Sequence, residues 1–214
     1  MRSLVPILLI TLGVACTAKD SGTAAKSDTM TSTTTASSTT ETAIRPTETA
    51  VAPEVSPPGD IPDSQAFVKY TNVGSGYQLE VPEGWARTEN GADVTFVNKF
   101  DGVKVHVASP SPSASAAPTA ASAQANEVKQ IQSQGHAVTI TGVSEVTLPA
   151  GKAIVIKYTS NSDPNPVTNK RVRLENVTYL YYKNGKEAQL TVWAPLGADN
   201  VDQWNRMSKS FRWL

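Results

Sequence analysis

Along residues 76–81 apolar and polar side chains alternate. Tyr77, Leu79 and Val81 share one side, and Gln78 and Glu80 the other. This predicts a half-buried strand, which Pro82 ends because it has no N–H to give a ladder. Glu83-Gly84 makes a turn, and Trp85 is expected to close one end of the core as a buried aromatic. Residues 93–99 and 103–107 continue the pattern. Val103, Val105 and Val107 face inward, Lys104 and His106 outward, with a hairpin connection at Phe100-Asp101-Gly102.

After a Ser/Pro-rich loop the period lengthens. Residues 119–134 predict one helix with Ala121, Ala125, Val128 and Ile131 as its narrow stripe and Gly135 just past its end. Residues 138–148 and 152–158 read as a strand pair, with Ile154, Ile156 and Tyr158 on one face. A long strand over 170–183 then meets Asn184-Gly185, the strongest hairpin signal in the chain, and 187–194 returns. Asp199-Asn200 is expected to cap a last helix striped by Val201, Trp204, Met207 or Ser208, and Phe211.

In the last hairpin, Leu174, Leu180, Tyr182, Leu190 and Val192 are assigned to one face, and Val177, Tyr179, Tyr181 and Trp193 to the other. A strand apolar on both sides is covered on both. The expected class is therefore α+β: a mainly antiparallel sheet with helices packed on both faces, an α/β/α sandwich.

Composition divides the 214 residues unevenly. Arg2 is followed by an apolar run over 4–14, short of the ~20 residues a spanning helix needs and matching a signal-peptide core. Gly13-Val14-Ala15-Cys16 resembles a bacterial lipobox, with Gly where Leu is commonest. In that motif the cysteine is acylated and becomes the mature N-terminus. Cys16 is the only cysteine, so an intramolecular disulfide is excluded. Residues 16–61, rich in Thr, Ser and Pro, lack the apolar content to offset ordering entropy and read as a tether. The expected organisation is a leader over 1–15, the lipidated Cys16 and tether over 16–61, and one domain over 62–214. The formal net charge of zero gives no concentrated basic face, so no nucleic-acid partner is expected.

Candidate chemistry is sparse. No phosphate-cradling glycine motif and no nucleophile elbow occurs. His106 shares its strand face with Lys104, which disfavours a cation, and His136 follows Gly135. Both read as structural or solvated, so no metal, cofactor or catalytic residue is assigned. Arg171 and Arg173 line a strand face with Glu175, which a charged edge strand would also explain. With Tyr179, Tyr181 and Trp193 they form the candidate ligand or partner surface; burial of the aromatics under a helix is the competing reading.

GYQLEVPEGW near the domain start, LTVWAP late, and the closing ADNVDQWNRMSKSFRW together resemble the PsbP-like domain. The nuclear-transport Mog family and LpqN-type mycobacterial lipoproteins share its fold. The resemblance spans roughly 68–214 and implies an antiparallel sheet sandwiched by helices, with binding or scaffolding in place of catalysis. The expectation is an extracytoplasmic lipoprotein held to the bilayer through Cys16, with an unknown protein or ligand partner. Carriage or sensing of a small apolar or lipidic ligand is the alternative, and a cell-envelope hydrolase a remote one.

Overall fold

The computed structural model describes residues 48–108 and 117–214. The leader, Cys16 and the tether up to residue 47 lie outside the described residues. Among the described residues, ten strands and three helices follow in chain order. They are β1 (Phe67–Asn72), β2 (Tyr77–Pro82), β3 (Ala86–Asn90), β4 (Asp93–Asn98) and β5 (Asp101–Ala108), then α1 (Ala120–Ala125) and α2 (Glu127–Gln134). After them come β6 (His136–Leu148), β7 (Gly151–Asn161), β8 (Arg173–Lys183), β9 (Lys186–Pro195), α3 (Val201–Ser210) and β10 (Arg212–Trp213).

Seven strands form one antiparallel sheet in the order β3-β4-β5-β9-β8-β7-β6. A smaller sheet, β1-β2-β10, lies apart from it and supplies Tyr77, Leu79 and Val81 to the main core. The class is α+β, as the alternation predicts, with helices on both faces of the large sheet. On the main-core side α3 brings Trp204 and Met207 against Tyr179 and Tyr181. On the other, α1 and α2 set Ala123 and Val128 over Ile154, Ile156 and Leu180. Trp85 is buried in the main core, as expected of a residue that closes it.

Register settles the faces of the last hairpin. Asn184 and Gly185 both have positive φ, as a two-residue turn matching strand twist requires, and Lys183 pairs with Lys186. Odd-numbered residues of β8 therefore stand opposite even-numbered residues of β9. Tyr179 pairs with Leu190, Val177 with Val192, and Asn176 with Trp193. Period-2 reading is right within each strand but has the two strands out of phase. Leu190 and Val192 join Tyr179 and Tyr181 in the core, and Trp193 lies on the opposite face.

Three other expectations change. The helix over 119–134 is broken at Asn126 into α1 and α2, which shifts the phase of the stripe: Ala123 and Val128 are buried, whereas Ala121 and Ala125 are exposed. Thr119 and Ser122 close a reciprocal cap at the start of α1. The β4–β5 turn is Lys99-Phe100, with Lys99 at φ 55° and Asn98 paired to Asp101. Asn200 precedes α3 without a side-chain cap. Its Oδ1 instead accepts from the Ile61 amide at 2.6 Å, and its Nδ2 donates to the Gly59 carbonyl at 2.7 Å. Among the described residues, Gly59 and Ile61, ahead of residue 62, are thus bonded to the domain.

Candidate functional site

The face of the large sheet turned away from the main core is only partly covered by the described residues. The α1/α2 layer sits over one part, and beside it runs a groove of about 710 Å³ floored by β5, β9, β8 and β7 and walled by Gln130, Ile131 and Gln134 of α2. The floor is polar where a core face would be apolar. Thr178 and Thr191, opposite each other on β8 and β9, share a hydroxyl–hydroxyl bond of 2.9 Å. Asn176 donates to Ser160 Oγ at 3.0 Å.

Trp193 and Tyr158 are the aromatics of this lining, and Trp193 lies across Gly102 of β5, its cross-strand neighbour. A Cβ on Gly102 would fall inside the indole ring. Gly102→Ala is therefore expected to push Trp193 off the sheet at a cost of roughly 1–3 kcal/mol. The check is a shifted tryptophan emission maximum together with a lower denaturation midpoint.

Each end of the groove carries a histidine. At one end Asp93 accepts from Lys104 Nζ at 2.7 Å and from His106 Nδ1 at 2.6 Å. Partial burial works against the charge, but these two donors outweigh it and hold the Asp93 carboxyl below its ordinary range. The shared strand face of Lys104 and His106 is real; the cation-repelling pair is held by an acid from β4.

At the other end the groups come from far apart in sequence. His136 Nδ1 lies 2.8 Å from Glu48 Oε2, and its Nε2 lies 3.3 Å from Asp163. Asn161 Nδ2 donates to Glu48 Oε1 at 2.8 Å, and Arg171 Nε approaches that oxygen at 3.4 Å. The Asn161 bond first, against partial desolvation, then His136 and Arg171, hold the Glu48 carboxyl below its ordinary range.

A frame lies beneath. Arg173, buried, donates to Asn161 Oδ1 at 3.1 Å, to the Ala137 carbonyl at 2.8 Å and to Thr159 Oγ1 at 2.6 Å. The Ala137 carbonyl is available because β6 is irregular between His136 and Thr139, with Ala137 at φ 45°. Among the described residues no group of three His, Cys, Asp or Glu is arranged to hold a metal ion.

The five residues assigned to a recognition surface are thus divided. Tyr179 and Tyr181 are core residues, stacked with ring centroids 6.3 Å apart, and Tyr181 Oη donates to the Ser208 carbonyl at 2.7 Å. Trp193 lines the groove, Arg171 reaches Glu48 at its end, and Arg173 is buried below that end. The register of β8 and β9 separates the tyrosines from Trp193. The sequence reading missed Glu48, Asn161, Asn176, Thr178 and Thr191. The polar positions of β8, alternating with apolar ones inside a central strand, were the available signal.

The small sheet against a seven-stranded one, with helices on either side of the latter, defines a PsbP-like fold. The solution structure of cyanobacterial PsbP (CyanoP) from Synechocystis sp. matches this chain with a TM-score of 0.52 at 15% identity, over 73% of this chain and 98% of that one. The Saccharomyces cerevisiae Ran-binding protein Mog1p matches at 10% identity and a TM-score of 0.47, over 69% and 95% of the two chains. LpqN, involved in cell envelope biogenesis of Mycobacterium tuberculosis, matches at 14% and 0.37, over 70% and 85%. At these identities the likeness is one of fold, and it rests on the first of the three. No family model matches the chain, and no curated protein does.

Proposed function

We propose that this chain is a membrane-anchored extracytoplasmic lipoprotein whose domain binds a partner or ligand in the polar groove and performs no catalysis. The anchor is the acylated Cys16: a diacylglyceryl group and an N-acyl chain supply the two or more chains that stable attachment needs. The tether then carries the domain away from the lipid surface.

The observation that supports binding is the groove itself, a cleft of ligand-pocket size lined by hydroxyls, amides and charged groups together with Ile131, Tyr158, Leu174 and Trp193. Its histidines sit against carboxylates, His106 on Asp93 and His136 between Glu48 and Asp163. Such pairs orient polar groups for recognition. A carrier of a small apolar ligand draws less support, because Asn176, Thr178, Gln189 and Thr191 line the floor.

The anchor and the groove are tested separately. Mass spectrometry of the mature product is expected to find Cys16 carrying the lipid, and Cys16→Ser to move the protein from the detergent phase to the aqueous one. An unmodified thiol overturns the anchor. Thr191→Lys fills the floor of the groove and is expected to abolish crosslinking to a native-membrane partner, with the circular dichroism spectrum unchanged. Undiminished crosslinking overturns the groove as the binding site. An apolar dye displaced by the same substitution would establish the carrier reading in its place.

A further inference from the structure

We propose that the His136 end of the groove is a reading site for an extended peptide bearing an acidic side chain, filled in cis by residues 48–51 of this chain. The proposal rests on the groove being a binding site and names what one end of it takes.

Glu48 enters with both carboxylate oxygens engaged, Oε2 by His136 and Oε1 by Asn161 and Arg171. Asn161 also handles the main chain that follows. Its Nδ2 donates to the Thr49 carbonyl at 3.0 Å, and its Oδ1 accepts from the Val51 amide at 3.0 Å. One side-chain amide thus takes a carbonyl and the N–H two residues on, the pair that an adjacent strand would present. The chemistry specifies an acidic residue followed by extended backbone.

The frame that holds these donors is built without the occupant. Buried Arg173 fixes the Asn161 amide from below, through Asn161 Oδ1, the Ala137 carbonyl and Thr159. Arg171 is braced by its own bond to the Ser162 carbonyl at 2.7 Å. All of these residues belong to β6, β7, β8 or the loop between the last two. The occupant is held separately from its continuation. The Asn200 anchor grips Gly59 and Ile61, and residues 52–56 between the two attachments are exposed. Residues 48–51 can therefore leave while the chain from Gly59 onward stays bound.

A segment tethered this closely competes at an effective concentration in the millimolar range, so an external peptide meets a site that is already filled. Releasing the segment is expected to expose the site. The probe is a fluorescently labelled peptide of residues 45–53, RPTETAVAP, beside the same peptide with Gln for Glu48. It is titrated into the mature full chain, into Glu48→Ala, and into Glu48→Ala/Val51→Pro, which also removes the amide donor to Asn161. Fluorescence anisotropy is expected to show about tenfold tighter binding to the double variant than to the unaltered chain, with the single variant between them. The Gln peptide is expected to bind about tenfold more weakly than the Glu peptide, and adding Asn161→Ala to the double variant is expected to abolish binding.

Equal affinity for all chains, or for the two peptides, overturns the proposal. A partner crosslinked at the groove, sensitive to Thr191→Lys but indifferent to both released variants and to excess peptide, also overturns it and leaves the groove reading standing. Peptide binding by the released chains with no groove partner in native membranes supports the proposal and confines the binding site to this end of the groove.

Discussion

Asp101→Asn is expected to stabilise the domain above neutral pH by on the order of 2–4 kcal/mol, and to change little near pH 4. Asp101 opens β5 and is only 5% exposed, and among the described residues its Oδ1 has no hydrogen-bond partner. Burial, reinforced by Asp60 and opposed by Lys99, pushes its carboxyl up to about 7. The folded chain therefore keeps a proton that the unfolded chain loses near the ordinary value of about 4. Between those two values, rising pH draws protons from the unfolded state only, so wild-type stability falls; above about 7 the loss is complete and level. Asparagine has the same shape and no charge to bury, so the difference between the proteins opens over that window. Urea denaturation at pH 4, 5.5 and 8 reads it directly. A difference that does not vary with pH would show that Asp101 is ionised in the fold at no cost.

Phe211→Ala is expected to cost about 3–5 kcal/mol, the range for deleting a fully buried aromatic side chain. Phe211 has no exposed surface. Its ring lies 4.2 Å from that of Tyr181 in the large sheet and 5.7 Å from that of Tyr77 in the small one, both nearly parallel to it, and Trp213 meets it edge-on at 5.4 Å. The side chain is the filling of a stack that joins two sheets at the end of α3. Little can collapse into the space, since Tyr181 is also held by its bond to the Ser208 carbonyl. Phe211→Leu should recover more than half of the loss. A cost under about 1 kcal/mol for the alanine variant, measured by urea denaturation, would mean that the sheets are joined elsewhere.

Those core residues were readable from the chain because burial leaves a period. Tyr77, Leu79 and Val81 alternate with polar neighbours, and Trp204 and Phe211 recur at helical spacing. Strands without such a contrast were not readable. Every residue of β3 is exposed, and β1 buries too little to alternate cleanly. The break at Asn126 left no signal either, since no proline or glycine marks it. Inter-strand phase was lost for a different reason. Each strand shows its own alternation, but only the length of the turn at Asn184-Gly185 fixes which residues of the two strands share a side.

The groove's one signal, the polar positions of β8, was ambiguous because its chemistry imitates solvent exposure. Thr178, Asn176 and Gln189 have the composition of an outward face, and nothing local says that α2 overhangs it. The site at its end joins residues 88 and 113 positions apart, Glu48 with His136 and Glu48 with Asn161. Its acid lies in a stretch whose Thr and Pro content reads as unstructured. A single glutamate in such a stretch carries no periodic signal, so only the folded chain could place it.

The Asn200 amide has a mechanical meaning. A force drawn along the chain from its N-terminal side peels Glu48 and Val51 away first and then meets the doubly bonded grip on Gly59 and Ile61. There it enters the start of α3, whose Trp204 and Met207 are wedged into the interior. The strain is delivered to α3, which buries Gln203, Trp204, Met207 and Ser208, and away from the floor around Thr178 and Thr191, so a pull strips residues 48–51 from the end of the groove before it loads the sheet.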